Sequence, residues 1–179
     1  MSHRVLLSHK KIEIILKRLA SQLIEKFNDF NEVVLVGLQP RGIFLLKRLV
    51  ELLENDYGLD KVIFGKLDIT FFRDDFRRFD KTLSPSSSEM ELTIEGKSVV
   101  IIDDVLYTGR SIRAALTALD HYGRPNDIQL LVLIDRRFSR DLPIQPDYTG
   151  VQVDALEGDK VRVEWKEQAM HDTVFIEKR

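Results

Sequence analysis

Cysteine is absent from the 179 residues, which excludes disulfides, a thiolate zinc site and a cysteine nucleophile. No apolar run approaches the ~18 residues that a membrane span needs. In the first twenty residues, MSHRVLLSHKKIEIILKRLA, charges break up the apolar positions, so no signal-peptide hydrophobic region can be drawn. A cytoplasmic protein without a membrane segment is expected. Neither charge sign dominates: 27 Lys and Arg face 29 Asp and Glu, for a formal charge of -2. That balance argues against a dedicated nucleic-acid coat and leaves room only for a local basic patch. No period of 20 to 50 residues repeats, and low complexity is confined to SPSSS at 84–88. What is present, 44 % apolar and 31 % charged residues, fits one packed domain over residues 1–179.

Periodicity orders the chain into alternating helices and strands. Ile12, Ile15, Leu16, Leu19, Leu23 and Phe27 recur at threes and fours, predicting an amphipathic helix from Ser8 to Phe27, with Ser8 as its N-cap. Val33 to Val36 is a short buried strand ending at Gly37, and Ile43 to Leu53 a helix. Val62 to Phe72 has a mixed strand pattern. From Arg73 to Glu91 the chain is charged, aperiodic and contains Pro and Ser, long enough to demand a functional explanation. Val99 to Ile102 is a run of β-branched residues, the mark of a strand buried on both faces of a parallel sheet. A helix follows from Ser111 to Tyr122, closed by Gly123, then a buried strand from Ile128 to Ile134. Shorter strands are expected at Val161 to Trp165 and Val174 to Ile176. The pattern is α/β with a mostly parallel central sheet, whose ligands bind at the carboxyl ends of the strands.

Three segments fall at such ends: Gly37 to Gly42, Asp103 to Ser111, and Asp135 to Arg140. The most informative is VVIIDDVLYTGRSI, Val99 to Ile112. Thr108, Gly109 and Ser111 at a helix start offer free N–H groups, two hydroxyls and the positive end of the helix dipole, which suit a phosphate. Gly109 allows close backbone approach. Asp103 and Asp104 would repel that phosphate, so they suit a neighbouring ribose diol or a Mg²⁺. A phosphate beside a diol describes a ribose 5-phosphate.

This strand, acid pair, turn and helix resemble the type I phosphoribosyltransferase family. The segments VLVGLQPRGIFLLKRL, LDITFFRDD, DDVLYTGRSIRAALTALDHYGRP, IQLLVLIDRR and LPIQPDYTG resemble its PyrR branch, pyrimidine-operon attenuators that also carry uracil phosphoribosyltransferase activity. The resemblance runs from about Leu7 to Gly150. It implies that Thr108, Gly109, Arg110 and Ser111, with Val105, Leu106 and Tyr107 leading in, bind phosphoribosyl pyrophosphate (PRPP) at its 5-phosphate. Asp103 and Asp104 would take the ribose hydroxyls and bear on Mg²⁺. Gln39, Pro40, Arg41 and Gly42 occupy the pyrophosphate loop, Arg73 opens a mobile hood running to about Glu91, and Tyr107, Asp135 and Arg136 border the base. The implied catalytic set is Asp103, Asp104, Arg41 and Arg73. The expected reaction joins uracil and PRPP into UMP and pyrophosphate, with a dimer or tetramer expected.

Other readings of the same residues are weaker. Acid pairs after a strand also occur in receiver domains, but near the domain start, and here too little chain follows Asp103. Gly37 to Gly42 fits G-x-x-x-x-G, yet Ile43 and Phe44 stand where a P-loop needs Lys and Ser or Thr. His3, His9, His121 and His171 lack ligand spacing, and Trp165 reads as core or subunit contact. Tyr107 stands where purine-salvaging relatives often carry an acid, and a phenol with pKa near ~10 is a poor proton acceptor, which favours uracil. For RNA, Lys10, Lys17, Arg18, Arg137 and Arg140 supply charge, but Ser21, Phe138, Gln145 and Val151 depart from the attenuators' residues. RNA binding is therefore expected to be weak and poorly selective. Pro40 also departs from the family, which usually has Thr there.

Overall fold

The computed structural model describes residues 2–27, 29–74, 90, 93–156 and 158–178. The segment expected as a hood thus lies largely outside the described residues; Arg73, Asp74 and Met90 are within them. Described in chain order are β1 (Ser2–Leu7), α1 (His9–Lys26), β2 (Val33–Leu38), α2 (Gly42–Asn55), β3 (Phe64–Leu67), β4 (Ser98–Leu106), α3 (Arg110–Leu119), β5 (Asp127–Arg137), β6 (Tyr148–Asp154), β7 (Lys160–Glu164) and β8 (Thr173–Lys178). Among the described residues no helix is long and apolar enough to cross a membrane.

Five strands form a parallel sheet in the order β3-β2-β4-β5-β6. The continuous apolar runs of β2, β4 and β5 follow from burial on both faces, and the two-residue pleat sorts them. Val33, Leu35, Val100, Ile102, Leu131 and Leu133 face a core shared with α1 and α2. Val34, Val36, Val99, Ile101, Leu130 and Val132 face a second core shared with α3, Ile94 and Met90. A crossover helix follows β2 and β4, as parallel pairing requires.

The smaller sheet, β1-β8-β7, is antiparallel and closes the α1–α2 side. Its anchor is Trp165, fully buried, with the Arg48 guanidinium of α2 4.5 Å over its ring. Arg48 also donates to both Glu167 oxygens, at 3.0 and 2.9 Å, and to both Asp172 oxygens, at 3.2 and 2.7 Å. A fork with five donors in one plane suits two carboxylates at once. Those two hydrogen-bonded carboxylates hold Arg48 above its ordinary pKa against the cost of burial.

Four sequence expectations shift. Ser8 caps α1 by position, with extended backbone, but its side chain makes no capping bond. β4 runs through both acids to Leu106. The third helix begins at Arg110 and ends at Leu119, and its last expected turn, Asp120–Tyr122, is a 3₁₀ turn before Gly123 at φ 122°. Two edge strands, β1 and β6, are additional; their polar, interrupted sequences SHRVLL and YTGVQVD carry little period-two signal.

Candidate active site

Parallel register brings the three candidate segments to one edge. Gly37 of β2 lies opposite Ile102 of β4, and Leu106 of β4 opposite Asp135 of β5, so all three loops leave the same end of the sheet. The first must pass very near β4. A Cβ at Gly42 would sit 2.4 Å from the Ile102 carbonyl oxygen and 3.1 Å from the Asp103 Cα. Only glycine admits α2 this close to the acid pair. The preceding Gln39–Pro40 peptide is cis.

Asp103 and Asp104 point to opposite sides of β4, as neighbours in a strand must. Asp104 is buried and accepts from Arg41 Nε at 2.9 Å. Arg41 Nη2 also donates to the Val163 carbonyl of β7, so this arginine ties the acid pair to the smaller sheet. Asp103 is less covered, and its Oδ1 accepts from the Asp104 N–H at 2.9 Å. Burial, together with the adjacent Asp104 charge, pushes the Asp103 carboxyl well above the usual carboxylate range, with Arg41 and Arg73 offsetting part of it. Burial likewise raises Asp104, against the pull of Arg41.

After β4 the chain turns through Gly109 at φ 90° into α3, which has no acid in its first turn to neutralise the helix dipole. Arg73, Asp103, Val105, Leu106, Tyr107, Thr108, Gly109, Arg110, Ser111 and Ile112 line one cavity of about 270 Å³. Arg110 is engaged on both sides. Its Nε donates to Asp141 at 2.9 Å and its Nη1 to Asp74 at 2.5 Å, while Arg113 pairs with the same Asp74 oxygen at 2.8 Å. Beneath the turn, the Asp141 N–H donates to the Thr108 carbonyl at 3.0 Å.

On the far side of the turn, Tyr107 is 42 % exposed and Arg136 only 5 %. The Arg136 guanidinium lies 3.9 Å from the Tyr107 ring centroid, a cation–π contact. Its Nη2 donates to the Asp159 carbonyl at 3.0 Å, and its buried Nε has no acceptor. Burial lowers its pKa. Asp135 is buried and bound by Arg140, which also donates to the Tyr107 carbonyl.

This arrangement is a glycine turn opening a helix, an acid pair, a cation and a flat aromatic wall around one strand end. A family model described as "Phosphoribosyl transferase domain" matches residues 4–168. The chain belongs to the phosphoribosyltransferase family. Within the family its relatives include the bifunctional protein PyrR of Gloeothece citriformis, 45 % identical over 161 residues and 88 % of each chain. The bifunctional protein PyrR of Bacillus subtilis is 40 % identical over 174 residues, covering 96 % of this chain and 95 % of its own. The resemblance read from the motifs, to the PyrR branch of type I phosphoribosyltransferases, is therefore borne out. Solved phosphoribosyltransferases share the fold. A hypoxanthine phosphoribosyltransferase from Staphylococcus aureus has TM-score 0.65 at 22 % identity, over 86 % of this chain and 80 % of its own. A hypoxanthine-guanine-xanthine phosphoribosyltransferase has TM-score 0.67 at 17 % identity, over 98 % and 94 %.

In this phosphoribosyltransferase the cavity gathers nine of the residues singled out in the sequence; Asp104 is not among its lining residues and is bound by Arg41 beside it. Pro40 is exposed at the turn before α2. Asp135 and Arg136 stand beside the group, Arg136 directly against Tyr107. Sequence reading missed Asp74, Asp141 and the Val163 carbonyl, which come from three distant segments and form no local motif. Arg18, Arg137 and Arg140, expected as phosphate-facing charge, are held internally: Arg18 by the Thr149 and Gly150 carbonyls, Arg137 by Asp154, Arg140 by Asp135.

Among the described residues no three acids or histidines cluster as a self-sufficient metal site. Two adjacent carboxylates, one tied to Arg41, fit a Mg²⁺ that brings much of its own coordination from water and substrate phosphates.

Proposed function

We propose that the chain transfers ribose 5-phosphate from PRPP to uracil, yielding UMP and pyrophosphate, with Mg²⁺ required. The observation that carries this reading is the meeting of the turn that opens α3 and the Asp103 carboxylate in one cavity, with the neighbouring Asp104 bound by Arg41. Thr108 and Ser111 hydroxyls, loop N–H groups and the α3 dipole would hold the 5-phosphate. Asp103 and Asp104 would accept from the ribose hydroxyls and bear on Mg²⁺, which when bound supplies charge neutralisation for the departing diphosphate. As the bond at C1 breaks, the sugar gains positive charge and the diphosphate negative charge. The acid pair faces the first, and Arg41, exchanging Asp104 for a phosphate oxygen, faces the second. Arg73 adds a second cation near Asp103.

Uracil is favoured because Tyr107, a phenol, offers no carboxylate to a purine ring nitrogen. Incubation with PRPP, Mg²⁺ and each of uracil, hypoxanthine, guanine, adenine and orotate tests this. UMP should form from uracil, and chelating the metal should abolish it. Nucleotide formed from a purine and not from uracil would overturn the base assignment.

A second reading, regulation by binding a pyr leader RNA, is supported by the "bifunctional" name of the relatives. Against selective readout stands the pairing of Arg137 with Asp154 and of Arg140 with Asp135, which leaves Lys10, Lys17 and the carbonyl-bound Arg18 as charge without base recognition. Any RNA affinity should therefore fall steeply with salt and show less than about tenfold preference for a leader hairpin over a scrambled RNA of equal length. Preference of about a hundredfold at physiological salt, strengthened by UMP, would make regulation the principal role. Assembly as a dimer or tetramer in the cytoplasm completes the proposal, and light scattering gives the mass.

A further inference from the structure

An anion-binding turn gains from unneutralised positive charge, yet its arginine here is matched by two carboxylates. Arg110 spends Nε on Asp141 and Nη1 on Asp74, and Arg113 adds a second contact to Asp74. Two arginines and two aspartates make this cluster electrically neutral at the mouth of a site proposed to receive a dianion. Reach is not the reason: Arg110 is the first residue of α3, next to Gly109. A guanidinium so engaged serves geometry better than charge, because its planar fork fixes two partners in one plane.

The backbone beneath it says what is fixed. The Asp141 N–H holds the Thr108 carbonyl at 3.0 Å, and Arg140 Nη1 holds the Tyr107 carbonyl. In a trans peptide the C=O and the following N–H point in opposite directions. Holding those two carbonyls toward the segment after β5 therefore turns the Thr108 and Gly109 N–H groups the other way. Packing reinforces the position: a Cβ at Gly109 would be 3.2 Å from Ile144 Cδ1.

We propose that Asp141 and Asp74 are positioning residues for the phosphate turn, and that Arg110 is the strut between them rather than a side-chain ligand of the 5-phosphate. This rests on the reading of that turn as the 5-phosphate site and corrects the role of one residue in it. Asp141 anchors the strut from the segment after β5, and Asp74 anchors it from the segment that carries Arg73. The turn keeps its N–H groups aimed while the strut holds.

The proposal makes an unusual prediction of sign. Replacing a carboxylate near an anion site by its amide normally tightens the anion, since a repulsive charge is lost. Asp141→Asn and Asp74→Asn should instead weaken binding of ribose 5-phosphate and of UMP, by roughly tenfold for the loss of a charge-assisted hydrogen bond. Binding of uridine, which lacks the phosphate, should stay within about twofold, and Asp141→Glu should recover most of the loss. Asp141 and Asp74 both lie at the surface, outside the core, so the variants should fold, which circular dichroism checks. Calorimetric titration of wild type and each variant with ribose 5-phosphate, UMP and uridine decides it. Unchanged or tighter ribose 5-phosphate binding by the variants would overturn the strut and make Arg110 a restrained phosphate ligand. Equal losses for UMP and uridine would also overturn it, as a general structural defect. No ribose 5-phosphate binding by the wild type would remove the phosphate site itself, a separate failure.

Discussion

Asp103→Asn will make the ligand-free protein more stable and its reaction slower by at least about tenfold. Its carboxyl is raised well above the ordinary 3.8 by burial and by Asp104. A group with a higher pKa folded than unfolded binds more protons in the folded state between the two values, so stability falls as pH rises through that window. The whole cost is present only above the folded-state pKa. The amide removes the charge, and its Oδ1 can still accept from the Asp104 N–H, now at 2.9 Å. Even ~1 kcal/mol regained would raise Tm by roughly 2–4 °C in a chain of this size. The same change should slow UMP formation by about tenfold to a hundredfold, the worth of one charged hydrogen bond to the sugar or metal. Wild type should show the matching pH trend: ligand-free Tm rises as pH falls through the folded-state Asp103 pKa toward its unfolded value, while PRPP binding weakens. A thermal melt and a rate assay on one preparation check both. Lower Tm with unchanged rate would remove Asp103 from the site. Asp104→Asn differs, because its partner Arg41 would be released from the acid while still holding Val163.

Gly42→Ala should damage fold and site together. The added Cβ would lie 2.4 Å from the Ile102 carbonyl oxygen, a backbone atom in a central strand that cannot turn aside. The start of α2 must then retreat from β4, carrying Arg41 away from Asp104. Overpacking of this kind costs about 1–3 kcal/mol, so Tm should drop by about 5 °C, and the PRPP requirement should rise because the leaving-group side is displaced. Denaturation and KM for PRPP measure the two effects. Unchanged values in both would mean that α2 does not rely on this close approach.

The candidate site was legible in sequence wherever its parts are contiguous. Val99 to Ile112 carries strand, acids, turn and helix start in one stretch, and the parallel sheet can be read from the uninterrupted apolar runs of β2, β4 and β5. What could not be read depends on distant residues meeting. Arg41 bonded to Asp104 spans 63 positions, and the Arg110 strut joins Asp74 to Asp141; neither leaves a spacing to detect. The charge on Arg137 was legible, but its neutralisation by Asp154 depends on β5 and β6 pairing, and β6 has too mixed a pattern to be found by period. Asp103 and Asp104 looked like strand-end residues from their polarity; the ladder with β5 carries them inside β4.

The account stands on one ribose spanning the turn and the acid pair, and a crystal structure of the protein with PRPP and Mg²⁺ tests that most directly. The predicted result has the 5-phosphate on the Thr108–Ser111 turn, the ribose hydroxyls on Asp103 and Asp104, and the diphosphate beside Arg41 in place of its bond to Asp104. A 5-phosphate bound elsewhere, or hydroxyls out of reach of both carboxylates, would contradict it.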